Sequence, residues 1–246
     1  MENSKPSPQQ TPIILVHGFG VRSQFWRTFK PMVELVGRAI TPDFHQPSIQ
    51  MRVDALVHTI HTTYEQTQKP CILLGHSLGS VITGLAALQV PDHQISHIIL
   101  LAVPFGKKKS RTSNRFVYWL IKHRLLPGFL IRNQFFGPST PDRLKKEVFS
   151  HAVKEPAHLI EEVAQNTWSH TAQVSDKLST PTLCITSKID HIVPWEQTME
   201  YAQAIGADFL CFEESTGIGH DDYPVLPKAQ SLLIQEIKKF IEYEER

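Results

Sequence analysis

Five residues in the first third of the chain have the types and the spacing of a nucleophile site. GHSLG at residues 75–79 has the pattern G-x-S-x-G and lies between an apolar run and a helix-like segment, which is the context that this pattern requires. A serine on such a sharp turn has a strained backbone, and flanking glycines avoid side-chain clashes there. The helix that follows directs N–H groups toward developing negative charge. We predict that Ser77 is a nucleophile; the alternative is a tight turn with an incidental serine.

A second turn with two glycines follows the first apolar run of the sequence. HGFG at residues 17–20 ends the run at 13–16, and a turn there can direct an N–H group into the same crevice. We predict that the N–H groups of Phe19 and Leu78 form an oxyanion hole. The alternative is a glycine-rich strand exit without a catalytic role.

A serine hydroxyl needs a base, and the base needs an acid that orients it. His220 is the histidine that follows the last predicted strand, and Asp190 comes just after the predicted strand at 182–186. The order Ser77, Asp190, His220 is the order expected for a serine on a G-x-S-x-G turn. The alternatives are a loop histidine and an aspartate that lies on the surface or caps a helix.

The elements that must position these residues alternate between strand and helix. Apolar runs predict six strands, and this alternation predicts a mostly parallel sheet with helices on both faces. The strands are expected at 13–16, 38–40, 71–74, 95–103, 182–186 and 209–212, and the helices at 23–36, 51–67, 79–90, 196–205 and 227–243. The alternation stops at residues 105–177, where the segments are helix-like and no strand is predicted. We therefore predict a flexible segment at 1–10, a core at 11–104 and 178–246, and a helical lid at 105–177.

The predicted lid has an unusual charge distribution. Residues 105–146 contain 11 Lys and Arg against one acid, Asp142, and aromatic residues are mixed with the basic ones at 115–136. Three interpretations remain open: a lid that roofs the site with its charges in solvent, a peripheral contact with anionic membranes, and recognition of an anionic substrate. The triple lysine at 107–109 is interpreted as a solvated loop.

Composition limits the remaining classes of function. The 246 residues suit one domain, and 25 Lys and Arg against 24 Asp and Glu give a net charge of +1, which argues against a nucleic-acid binder. Three cysteines, each on a predicted strand, indicate inert core thiols and a reducing compartment. With no apparent secretory signal, we expect a cytoplasmic protein. No residue spacing indicates a metal site or any other cofactor.

Taken together, these motifs resemble the α/β-hydrolase fold over residues 11–246. The resemblance lies in HGFG at 17–20, GHSLG at 75–79, DHIVP at 190–194 and GH at 219–220. It implies that Ser77 is the nucleophile, His220 the base and Asp190 the orienting acid, with Phe19 and Leu78 as oxyanion donors. DFHQPS at 43–48 lacks the glycines that many relatives have there, which argues against the C–C hydrolase and haloperoxidase-like branches.

The predicted function is that of a serine hydrolase. It would cleave a carboxylic ester, small or lipid-like, through an acyl-enzyme on Ser77. A thioesterase, a C–C hydrolase or a lyase could use the same groups, and a ligand-binding receptor of the same fold is a further alternative. His76 is expected to pack or hydrogen-bond locally. For four other polar residues, surface positions are favoured over the mouth of the site: His45, His191, Asp221 and Asp222.

Overall fold

The protein is built on one sheet of six parallel strands. The computed structural model describes residues 10–106, 133–165 and 176–244. All five neighbouring strand pairs are parallel, and the strand order is β2-β1-β3-β4-β5-β6. The predicted sheet is confirmed, and every predicted strand is present. The strands are β1 Pro12–Val16, β2 Arg38–Ile40, β3 Cys71–His76, β4 Ile95–Leu101, β5 Thr182–Ser187 and β6 Asp208–Phe212.

The central strands are buried on both faces, as their continuous apolar sequences require. Successive side chains of a strand point to opposite faces, so Ile13 and Leu15 belong to one hydrophobic cluster and Ile14 and Val16 to another. Each cluster excludes water from one face of the sheet. Sheets made only of parallel strands need this double cover.

Helices supply the cover on both faces. The helices are α1 Lys30–Val33, α2 Ile49–Thr67, α3 Leu78–Ala87, α4 Asp142–Ser150, α5 Ala157–Gln165, α6 Trp195–Ile205 and α7 Pro227–Glu244. Residues from α1 and α7 belong to the first cluster, and residues from α2, α3 and α6 belong to the second.

One helix prediction is wrong in detail. The single helix expected at 23–36 is divided into a 3₁₀ turn at Ser23–Trp26 and the short helix α1. Pro31 is the cause, because it occupies the first turn of α1. Proline has no N–H group and clashes with the preceding turn, so it starts a helix rather than continuing one.

The sheet topology places the ends of β1 and β3 side by side. From β1 the chain crosses to β2 through α1 on one face, and it returns to β3 through α2 on the other face. The crevice at such a reversal of strand order is where ligands bind in open α/β sheets. The predicted nucleophile turn and the predicted oxyanion turn therefore meet at this point.

Only part of the predicted lid falls within the described residues. The stretch 133–165 contains α4 and α5, whereas the triple lysine and most of the basic aromatic segment at 115–136 lie outside the described residues, as does nearly all of the segment 1–10. The lid at 105–177 therefore stays a prediction. Among the described helices, none has both the length and the apolar character needed to cross a membrane.

Candidate active site

Ser77 has the backbone conformation of a residue held under strain. Its φ of 54° and ψ of −123° lie outside the regions that side chains favour, which costs of order 1–3 kcal/mol. The surroundings hold this conformation, because the Ser77 N–H donates to the Leu101 carbonyl at 2.8 Å and its carbonyl accepts from the Ser80 N–H at 2.9 Å. Ser77 thus lies between the end of β3 and the first residue of α3, partly exposed.

The two glycines that flank Ser77 are required by close backbone approach. A Cβ atom at Gly79 would lie 2.4 Å from the carbonyl oxygen of Val16, and one at Gly75 would lie 2.7 Å from the Cα atom of Ser80. Real Cβ contacts do not reach these distances. Gly79 therefore lets α3 pack directly on the end of β1, and Gly75 lets β3 approach the first turn of α3.

His220 and Asp190 form a buried hydrogen-bonded pair. His220 Nδ1 donates to Asp190 Oδ2 at 2.7 Å, and the other oxygen of Asp190 accepts from the N–H groups of Ile192 and Val193 at 2.9 and 2.8 Å. With the proton on Nδ1, Nε2 is the atom left to accept a proton. Burial alone would lower the pKa of His220, but the charge of Asp190 raises it above its ordinary value.

The turn after β1 is fixed by a neutral histidine. The Phe44 N–H donates to His17 Nε2 at 3.1 Å, so the proton lies on Nδ1, which donates to the Gly18 carbonyl at 3.0 Å. Burial lowers the pKa of His17 to about 4, which keeps this arrangement at neutral pH. In the part of the chain that the structure covers, the N–H groups of Phe19 and Leu78 have no acceptor.

One cavity brings the predicted residues together. The cavity has a volume of about 190 Å³. It is lined by four of the predicted residues, Ser77, His220, Phe19 and Leu78. Asp190 lies behind His220 and is only 5% exposed. The remaining described lining is mostly apolar: Gly18, Val21, His76, Pro104, Phe135, Val163, Ile192, Val193, Gln197 and Asp221.

Comparison with known proteins shows the family of the chain. Residues 13–229 match the sequence model of the alpha/beta hydrolase family. The chain belongs to this family. A related protein is the pyrrolizixenacetamide deacetylase of Xenorhabdus hominickii, 25% identical to this hydrolase over 231 residues and 86% of each chain.

Solved structures of low sequence identity share the fold of this hydrolase. A thermophilic esterase from Thermogutta terrifontis has a TM-score of 0.70 at 20% identity, covering 95% of this chain and 90% of that one. A bromoperoxidase from Bacillus anthracis has a TM-score of 0.72 at 17% identity, covering 97% and 94%. The predicted α/β-hydrolase fold is confirmed.

His76 supports His220 from within the core of the hydrolase. Its Nε2–H donates to the His220 carbonyl at 2.9 Å, and the two ring centroids are 4.8 Å apart. The pKa of His76 lies well below its ordinary value, mainly because the side chain is buried and also because of the nearby charge of His220. A neutral His76 therefore fixes the His220 backbone without adding a charge, which fits the predicted local role.

The surface interpretation is wrong for the two aspartates after His220. Asp222 is completely buried, and its carboxylate accepts from the N–H groups of Gly137 and Gly219, each at 2.7 Å, and from Thr140 Oγ1 at 2.6 Å. Asp222 thus joins residues 137–140 to the His220 loop. Asp221 is also buried and lines the cavity. His45 and His191 are exposed, as expected.

A buried ion cluster connects the turn after β1 to the region of α4 and α5, and it was not predicted. Glu155 accepts from the Gly20 N–H at 3.0 Å, from Arg22 Nη1 at 2.9 Å and from Arg52 Nη2 at 2.6 Å. The Val153 N–H also donates to the Gly20 carbonyl at 2.9 Å. The residue next to the predicted oxyanion donor Phe19 is therefore held at both its N–H and its carbonyl.

Proposed function

We propose that this protein is a serine hydrolase that cleaves a carboxylic ester through an acyl-enzyme on Ser77. One observation carries the proposal: a strained Ser77 shares a cavity with a His220 that is hydrogen-bonded to the buried Asp190. A serine, a base and an orienting acid in this arrangement are the parts that acyl transfer needs.

In the acylation step, His220 removes the proton of Ser77 while the hydroxyl oxygen attacks the acyl carbonyl. The Phe19 and Leu78 N–H groups have no acceptor in the described chain, so they are free to bind the oxyanion of the tetrahedral intermediate. His220 then gives its proton to the departing alcohol. Asp190 holds the imidazole orientation and stabilises its cationic form.

In the deacylation step, water takes the place of the alcohol. His220 removes a proton from the water, whose oxygen attacks the acyl carbonyl, and the same N–H groups bind the second oxyanion. The carboxylic acid leaves when His220 returns the proton to Ser77. The cycle as written uses the chain's own residues, the ester and one water molecule.

The apolar lining favours a small or lipid-like acyl ester over a highly polar one. The esterase from Thermogutta terrifontis shares the fold at a TM-score of 0.70, which supports this class of substrate. An amide is the second candidate, because the relative of 25% identity is a deacetylase of an acetamide. Thioester, C–C and lyase reactions remain alternatives with the same groups.

Hydrolysis of p-nitrophenyl esters from acetate to palmitate tests the proposal. We expect turnover with an optimum chain length set by the cavity, and a loss of more than about 10³-fold in Ser77→Ala. Near-full activity of the folded Ser77→Ala variant would contradict the mechanism. The predicted membrane contact has its own test, since equal and negligible binding to anionic and neutral liposomes would contradict it.

A further inference from the structure

The two carboxylates that follow His220 differ in their hydrogen bonding. Asp222 accepts from three donors, whereas no donor among the residues that the structure describes reaches the carboxylate of Asp221. Within the described residues, Asp221 is paired through its backbone N–H, which donates to the Phe135 carbonyl at 2.8 Å. Asp221 is nevertheless a buried residue, since only 8% of it is exposed. A buried carboxylate without a donor is costly, which calls for an explanation by function.

The position of Asp221 indicates what could supply the missing donor. Asp221 lines the same cavity as Ser77 and His220. One of its carboxylate oxygens and one ring nitrogen each of His220 and His76 lie within 4.8 Å of one another. Gln197, another polar residue of the lining, already accepts from the Phe105 N–H at 3.3 Å. In the described lining, the Asp221 carboxylate is therefore the strong acceptor that a substrate can reach.

The charge state of Asp221 is set by its surroundings. The pKa of Asp221 is raised to about 7, mainly by burial; the nearby charge of His220 lowers this pKa, and the carboxylates of Asp190 and Asp222 raise it. Above this pH the group is an anionic acceptor of hydrogen bonds, and below it the group is neutral. The other titratable group at this point is His76, which burial keeps neutral.

The chemistry of acylation then identifies the part of the substrate that lies there. The atom that leaves must approach His220 to receive its proton, so a group within reach of both His220 and Asp221 belongs to the leaving group. An ester oxygen offers no hydrogen there, whereas the nitrogen of a secondary amide carries one N–H. We propose that Asp221 is a specificity-determining residue that accepts a hydrogen bond from the leaving group, and that secondary amides are accordingly a substrate class of this enzyme.

This inference rests on the proposed function, and the reaction balances in the same way. The bond between Ser77 Oγ and the acyl carbon forms, and the bond between that carbon and the nitrogen breaks. The proton from Ser77 passes through His220 to the nitrogen, which leaves as an amine while its original N–H points to Asp221. Water then releases the carboxylic acid.

The test compares two substrates that differ at one atom, p-nitroacetanilide and p-nitrophenyl acetate. The readout is the ratio of the two kcat/KM values in the wild type, in Asp221→Asn and in Asp221→Leu. A hydrogen bond to a charged group is worth about tenfold or more, so we expect the ratio to fall at least tenfold in Asp221→Leu. N-methyl-p-nitroacetanilide lacks the N–H, and its ratio to the ester should not change.

Three controls separate this role from a structural one. Asp208→Asn removes an exposed carboxylate at the start of β6 and should leave the ratio unchanged. The unfolding temperature of both Asp221 variants should equal or exceed that of the wild type, because an unpaired buried carboxylate is lost. The wild-type ratio should fall as the pH drops through about 7, and the ratio in Asp221→Asn should not.

The outcomes are distinguishable from those that concern the triad. If Ser77→Ala keeps its activity, the proposed function fails. If Ser77 is essential but Asp221→Leu lowers both substrates by the same factor, Asp221 acts only through His220 and the inference is overturned. Absence of anilide turnover in an active wild-type enzyme overturns it as well.

Discussion

Replacement of Glu155 by alanine should destabilise the protein far more than replacement of an ordinary surface acid. The side chains of Glu155 and Arg52 are both 0% exposed, and that of Arg22 is 14% exposed. Glu155→Ala leaves the Arg52 guanidinium buried without its anionic partner. It also removes the acceptor of the Gly20 N–H.

The magnitude follows from the burial of this pair. Removing one partner of a buried ion pair typically costs about 3–5 kcal/mol, because the remaining charge stays uncompensated. Glu147 offers a matched control in the same region, since it pairs with Arg27 on the surface, where the side chains are 34% and 62% exposed. Exposed pairs are worth about 0–1 kcal/mol, so Glu147→Ala should change stability by no more than this.

Urea unfolding, followed by circular dichroism, measures both values. We expect the free energy of unfolding to fall by about 3–5 kcal/mol in Glu155→Ala and by less than about 1 kcal/mol in Glu147→Ala. Burial alone would raise the pKa of Glu155, but hydrogen bonds from Arg22 and Arg52 lower it. The contribution of Glu155 to the free energy of unfolding is therefore complete above the pKa that Glu155 has in the unfolded chain. This contribution is lost as the pH falls through the lower pKa that Glu155 has in the folded protein.

Two results would refute this reasoning. Equal losses in Glu155→Ala and Glu147→Ala would mean that burial does not set the strength of the pair. An undiminished kcat in a folded Glu155→Ala variant would mean that the cluster does not hold the turn that carries Phe19. A specific fall in kcat with little change in KM is the expected signature, because the oxyanion forms only during the reaction.

Further predictions concern the triad and its support. Gly79→Ala should cost at least about 1–3 kcal/mol of stability by thermal unfolding, because its Cβ would lie 2.4 Å from a carbonyl oxygen at the end of β1. Asp190→Asn should lower kcat for esters by about 10⁴-fold while leaving the fold intact. The acid limb of kcat/KM should lie above pH 6.5, because the charge of Asp190 raises the pKa of His220 and only the neutral imidazole is a base; in Asp190→Asn the limb should move to lower pH. Iodoacetamide should not inactivate the native enzyme through Cys71 or Cys184, because burial raises the pKa of each thiol to about 12, and inactivation at pH 8 with modification of either would contradict this.

The strands and the nucleophile turn could be predicted because their signals are local. A continuous apolar run such as that of β4 indicates a strand buried on both faces, and the glycines around Ser77 indicate a turn with no room for side chains. Helix α1 was predicted too long because a helical pattern of apolar residues outweighed the stop at Pro31. The positions of local breaks are thus the weakest part of such a prediction.

Outside the predicted pair of Asp190 and His220, the long-range polar contacts described above could not be predicted from the sequence. Glu155 and Arg52 are separated by 103 positions, and nothing in either local segment indicates that they meet. Asp221 and Asp222 are adjacent acids in a loop, a pattern that is typical of the surface. Both contact residues 135–140, which lie far away in the sequence, and this contact gives donors to the carboxylate of Asp222 and none to that of Asp221.

Labelling with a fluorophosphonate, followed by intact mass and peptide mapping, tests the central claim most directly. If Ser77 is the nucleophile activated by His220, the wild type should gain one adduct, located on the peptide that contains Ser77. The Ser77→Ala variant should gain none, and His220→Ala should react far more slowly. An adduct that persists in Ser77→Ala, or a folded wild type that does not react at all, would contradict the mechanism.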